Sequence, residues 1–156
     1  MRKRLTTDRR IELYSTRGWC PVPWSHLPPE IKAEIRRIGF VPKMKSCYEN
    51  CARFMLYTEL PGIEYHEGYA SGASLLGIPI EHAWLTWNGK VVDLTLPPGG
   101  EYHESHTYTK DEIRKTLCRT MVWGPVNEPK LWELHPNRKL FEDLKRRSKG
   151  MKITGG

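Results

Sequence analysis

No stretch of this sequence approaches the ~18 consecutive apolar residues that a membrane-spanning helix needs. The opening residues, "MRKRLTTDRRIELY", carry charge but no apolar h-region, so they do not read as a secretory signal. Cysteine is scarce, with four in 156 residues. Without export, so few are expected as thiols, not as a disulfide framework. Together these absences predict a cytoplasmic protein with no membrane partner.

A chain of this length suits one domain with a moderate core. Six Trp and seven Tyr within a 38% hydrophobic composition exclude a disordered chain. The net charge of +7 is unevenly placed. Residues 1–10 hold five Lys/Arg against one acid, and residues 138–156 hold seven against two, which leaves the stretch between at −2. Basic ends on a near-neutral body do not make a basic groove. Solvated tails are their plainest role, and contact with nucleic acid or an acidic partner is the sharper one. The expected organisation is a basic N-terminal arm over 1–18, one α+β domain over 19–137, and a basic C-terminal helix and tail over 138–156.

Within the domain, "GWCPVPW" reads as an ordered loop, because Trp this dense packs. "LPPEIKAEIRRIGF" predicts a short helix, with Pro29 in its first turn and Gly39 at its end. Ile31, Ile35 and Ile38 fall on one face. "SCYENCARFMLYTEL" predicts a second helix. Ser46 and Glu49 have the spacing of a capping box, and Pro61-Gly62 stops the chain beyond it. The scarcity of polar positions makes this helix central. "IEYHEGYAS", "IPIEHAWLTW" and "KVVDLTL" read as strands. "TKDEIRKTLCR" reads as a helix boxed by Thr109 and Glu112, "TMVWG" as one more strand, and "PNRKLFEDLKRRSKG" as a terminal helix. The two copies of "EYHE", at 64–67 and 101–104, read as coincidence.

Asn88-Gly89 is a strong signal for a two-residue hairpin turn. It pairs Trp87 with Lys90, Trp84 with Asp93 and His82 with Thr95. His82 and Asp93 then become diagonal neighbours on one sheet face, about 7–8 Å apart at Cα and within side-chain reach. A carboxylate so placed fixes an imidazole's tautomer and stabilises its charged form. A purely structural His–Asp pair is the competing reading.

Cys47 is expected as the first residue of the central helix. Free amides and the helix dipole favour an anion there, and a thiol in such surroundings becomes a nucleophile for a carbonyl carbon. The amides of the same turn can supply part of an oxyanion hole. Cys51, one turn further in, packs under the site, and Cys20 and Cys118 belong with the inert core thiols. A zinc site is the alternative: Cys47 and Cys51 with His82 and an acid, with His66, His103 and His106 as further ligands. No second cysteine pair is present to support it, so no metal and no cofactor is expected.

The order of Cys47, then "EHAW", then "VVDLT" resembles the transglutaminase-like core of the papain-like cysteine hydrolase and transferase superfamily, over about residues 44–96. The resemblance implies a central helix carrying Cys47, packed on a small antiparallel sheet, with His82 and Asp93 completing a triad. Gly68-Tyr69 fits the strand that precedes the His. "CYEN" is similar to the nucleophile region of arylamine N-acetyltransferases, so acyl transfer is implied beside hydrolysis. The substrate would be a protein, a peptide or a small acyl compound. The chain has no Gln, so the side-chain donor of a papain-type oxyanion hole is missing. A backbone amide or a residue of "GWCPVPW" would have to replace it. The alternative on the same fold is a binding module that grips nucleic acid or a protein through its basic ends.

Overall fold

A computed structural model describes residues 6, 9, 10, 12, 13, 26–72 and 75–150. "GWCPVPW", Cys20 and most of the N-terminal arm lie outside the described residues. Among those described, five helices and four strands follow in order: α1 (Pro29–Ile38), α2 (Cys47–Tyr57), β1 (Ile63–Ser71), β2 (Ile80–Trp87), β3 (Lys90–Val92), β4 (Glu101–Tyr108), α3 (Lys110–Thr120), α4 (Glu128–Glu133) and α5 (Arg138–Gly150). None of these helices is long and apolar enough to cross a membrane.

α1 begins at Pro29, whose missing N–H costs nothing in a first turn. It ends at Gly39, which takes the left-handed φ of 84°. Ile31 and Ile35 are fully buried, and Ile38 packs at the core's edge. The buried Glu34 ties this helix to the end of α2. Its carboxylate accepts from Arg37 Nε and Nη2 at 3.0 and 2.7 Å, from Thr58 Oγ1 at 3.0 Å, and from the Glu59 amide at 2.8 Å. These bonds hold Thr58 extended, so α2 stops at Tyr57, before Pro61-Gly62 is reached.

The Arg37 hydrogen bonds outweigh burial and hold Glu34 down at about 2, below its ordinary 4.5. A depressed carboxyl stabilises the fold above its unfolded value, and that contribution is lost as pH falls through about 2. Glu34→Gln is expected to lower the unfolding free energy at neutral pH by about 1–3 kcal/mol in urea titration, with the deficit shrinking in acid.

The sheet is antiparallel throughout, in the order β3-β2-β1-β4. Asn88 and Gly89 both take positive φ, as their turn requires, and Trp87 pairs with Lys90, Thr86 with Val91 and Leu85 with Val92. This is the register the turn residues predict. The strand does not continue through Leu96, however. Asp93 leaves it, because its own Oδ1 accepts the amides of Thr95 and Leu96 at 2.7 and 2.9 Å and bends the chain. Thr95 therefore does not face His82; its Oγ1 accepts from Asn50 Nδ2 at 2.9 Å.

One sheet face lies under α2, where Tyr65, Ala83 and Leu85 join Ile31, Ile35, Cys51, Phe54 and Leu94 in the core. The other face carries His66, Gly68, Ala70, His82 and Trp84 by strict alternation. α3 starts at Thr109 with the expected capping box to Glu112. "TMVWG" forms no strand, a correction to the sequence reading. Met121 ends α3 in the left-handed conformation, and Trp123 instead packs against the core with the Arg53 guanidinium 5.0 Å from its ring. β4 has no counterpart among the strands the sequence predicts.

Gly68 pairs with His82 across β1 and β2. A Cβ there would lie 2.5 Å from the Glu104 carbonyl oxygen and 2.9 Å from the Trp84 ring. Neither the β4 backbone nor a 3%-exposed indole has room to retreat. Gly68→Ala is expected to destabilise the protein by about 1–3 kcal/mol, measured by thermal or urea unfolding.

Candidate functional site

Three elements bring the site together. β3 pairs only with residues 85–87 of β2, so the stretch of β2 around His82 has no β3 partner. The N-terminal half of α2 comes against that stretch, and Cys51 Sγ donates to the Ala83 carbonyl at 3.4 Å. Asn50, buried one turn into α2, fixes the approach. It exchanges hydrogen bonds with the Lys43 backbone at 2.8 Å in each direction, and it reaches the Leu94 carbonyl besides Thr95. The segment before α2 and the bend after β3 are thus pinned to one side chain.

His82 and Asp93 meet, although Asp93 has left the strand. His82 Nε2 lies 2.7 Å from Asp93 Oδ2, and the two side chains are 2% and 6% exposed. The Cys47 thiol comes near enough to the same imidazole to contribute to its pKa shift. With Nε2 committed to Asp93, Nδ1 is the nitrogen left for sulfur. Burial disfavours the imidazolium, but hydrogen bonds and charge interactions with Asp93 and Cys47 outweigh it and raise His82 to about 9. The stability this pairing adds is complete below the ordinary value of 6.5 and is lost as pH rises through about 9. Burial also works against the Asp93 carboxylate. The bond and charge of His82, with the Tyr102 hydroxyl and the Leu96 amide, win and hold it below the usual carboxylate range.

The three described cysteines fall into different environments. Cys47 is half-buried at the start of α2. Cys51 is fully buried, and burial pushes its thiol well above the ordinary range, which suits the packing role expected of it. Cys118 is exposed on α3, so its assignment to the core is corrected: it sits on the polar side of a helix whose one buried residue is Ile113.

The capping box at Ser46 does not form. Glu49 is taken by Lys43 Nζ at 2.9 Å and Arg53 Nε at 3.0 Å, and Ser46 Oγ donates to the Met44 carbonyl. No side chain caps the first turn of α2.

Among the described residues no three His, Cys, Asp or Glu side chains gather as a metal would require. His66 bonds Ser105 and Thr86, and His103 bonds Ser71. The further zinc ligands His66 and His103 are thus engaged elsewhere.

Two residues of the site escaped the sequence reading. Asn50 lies inside the quoted "CYEN", but its role depends on loops at residues 43 and 95. Tyr102 comes from the unexpected β4, and its hydroxyl donates to Asp93 Oδ2 at 2.6 Å. Trp84 stacks beside His82, with ring centroids 6.1 Å apart and 18° between planes, and stacks on His66 on its other side.

Glu67, buried on the α2 side of the sheet, takes no part in the triad. It accepts from Tyr65 and from the Val126 amide, and burial raises it to about 7. Comparison of the chain with protein-family models, with curated proteins and with solved structures gave no match.

Proposed function

We propose that this protein is a thiol-dependent hydrolase or acyltransferase on a papain-like, transglutaminase-like core. Cys47 is the nucleophile, His82 the acid and base, and Asp93 the residue that orients His82. One observation carries the reading: a buried carboxylate hydrogen-bonds an imidazole that a half-exposed thiol at a helix start also perturbs, although 46 positions separate Cys47 from Asp93 in the sequence.

Cys47 Sγ, its proton already given to His82 Nδ1 in the resting pair, attacks the carbonyl carbon of an amide, ester or thioester. The tetrahedral oxyanion is met by backbone amides of the first turn of α2, which no side chain consumes. As the carbon–heteroatom bond breaks, His82 returns the proton to the leaving amine, alcohol or thiol. A thioester on Cys47 remains. Water or an amine then attacks it, giving its proton to His82, and the C–S bond breaks to restore the starting Cys47–His82 pair. Whether the product is an acid or a transferred acyl group depends on which acceptor reaches the thioester.

The general-acid step needs imidazolium. His82 keeps its proton up to about pH 9, so turnover of an amide or ester probe is expected to fall above that pH. A pH–rate profile reads this limb directly. The reading itself is tested with p-nitrophenyl acetate, quenched in acid and followed by intact mass and peptide mapping. One acetyl group on Cys47, absent from Cys47→Ser, is expected. Acetylation that ignores Cys47 would refute it.

A further inference from the structure

We infer that Tyr102 is a positioning residue for the proposed triad: its hydroxyl fixes the oxygen of Asp93 that orients His82. This inference rests on the function proposed above.

Asp93 is a fully occupied carboxylate. Oδ1 accepts the Thr95 and Leu96 amides, and Oδ2 accepts His82 Nε2 at 2.7 Å and Tyr102 Oη at 2.6 Å. The two amides set where the carboxylate sits in the chain. They do not fix the direction of Oδ2, because both bind the other oxygen. Tyr102 supplies that second constraint, and it does so from the far edge of the sheet. β4 and β3 are the two edge strands, with β1 and β2 between them.

The sequence clears a path for this reach. On β1, Gly68 and Ala70 share the face that Tyr102 crosses, and Ala70 is its cross-strand partner. Any side chain at Gly68 would strike Trp84. Trp84 in turn supports both rings, with its centroid 5.0 Å from Tyr102 and 6.1 Å from His82. β1 and β4 also shift register between Gly68 and Ala70, which sets the position of Tyr102 along the sheet. A phenol held by packing, donating to an oxygen shared with a buried imidazole, limits the swing of both partners. Its effect reaches Cys47 only through Asp93 and His82. Asp93 and Cys47 act on His82, whose ring also faces the Tyr102 ring at 6.4 Å; Tyr102 acts on Asp93 in turn, and Asp93 on Cys51.

The test is Tyr102→Phe, which keeps the ring on Trp84 and deletes only the donor. Wild-type and variant are alkylated with iodoacetamide at pH 7, and the exposed Cys118 serves as an internal reference. The His82 ring is titrated by NMR in both. The variant is expected to lose about tenfold in Cys47 rate relative to Cys118, as loss of an outer-shell partner does elsewhere. Its His82 titration is expected to move down toward the ordinary histidine range. A purely structural tyrosine would shift neither the ratio nor the titration, so unchanged values for both overturn the inference. If Tyr102→Phe fails to fold, 3-fluorotyrosine at position 102 replaces it. A more acidic phenol is expected to move the His82 titration, and an unmoved titration again overturns the inference. Wild-type Cys47 reacting no faster than Cys118 would instead count against the proposed function, so the two failures are distinguishable.

Discussion

Asp93→Asn is expected to leave the protein folded and to cut the acylation rate of Cys47 by as much as about 10⁴-fold. The fold survives because asparagine keeps an Oδ1, and the Thr95 and Leu96 amides bind that atom. The site fails because the amide nitrogen then stands where Oδ2 accepted from His82 Nε2 and Tyr102. Two donors would face each other at Nε2. The imidazole responds by moving its proton to Nδ1, the nitrogen that must receive the thiol proton. The variant should melt cooperatively within a few degrees of wild type while its p-nitrophenyl acetate burst disappears. Global unfolding instead would mean that the carboxylate serves the fold first.

His82→Ala is expected to lower the same rate by about 10²–10⁴-fold, the range for loss of a positioned general base. It also leaves Asp93 buried without its main partner. Burial already pushes that carboxyl upward and the His82 bond opposes it, so removing His82 shifts its titration toward higher pH. The alanine variant should therefore lose stability as pH rises through that shifted range, because ionising an unpaired buried carboxyl costs free energy. Stopped-flow acylation and urea unfolding at two pH values separate the effects. If the rate is unchanged while stability falls, the pair is structural.

The sequence made the His82–Asp93 pair legible through two residues, Asn88 and Gly89. A hairpin turn with both φ values positive admits one register, and one register decides which side chains share a face. Helices α1 and α3 were legible for equally local reasons: proline at the start and glycine at the end of α1, and a capping box at the start of α3. What could not be read depends on competition between distant groups. Glu49 sits at the right spacing to cap α2, but Lys43 and Arg53 take its carboxylate. "KVVDLTL" has strand composition, yet Asp93 turns on its own backbone.

β4 was invisible because "EYHESHTY" has polar residues on both faces and no apolar alternation to betray it. With β4 hidden, Tyr102 could not be seen. Its partner Asp93 lies nine positions earlier, and the two meet only because Gly68 and Ala70 leave the middle of the sheet bare. Cys118 was misplaced for the opposite reason. Free cysteines are commonly buried, but in α3 the single buried position is Ile113.

The most direct measurement sets two thiols of one molecule against each other. Wild-type protein at pH 7 is exposed to limiting iodoacetamide, and the modified cysteines are counted by peptide mapping over time. Access alone would favour Cys118, which is exposed, over the half-buried Cys47. A nucleophile activated by His82 reverses that order: Cys47 is modified at least about tenfold faster than Cys118, and Cys51 stays unmodified while the fold holds. Cys118 labelled level with or ahead of Cys47 would contradict the account.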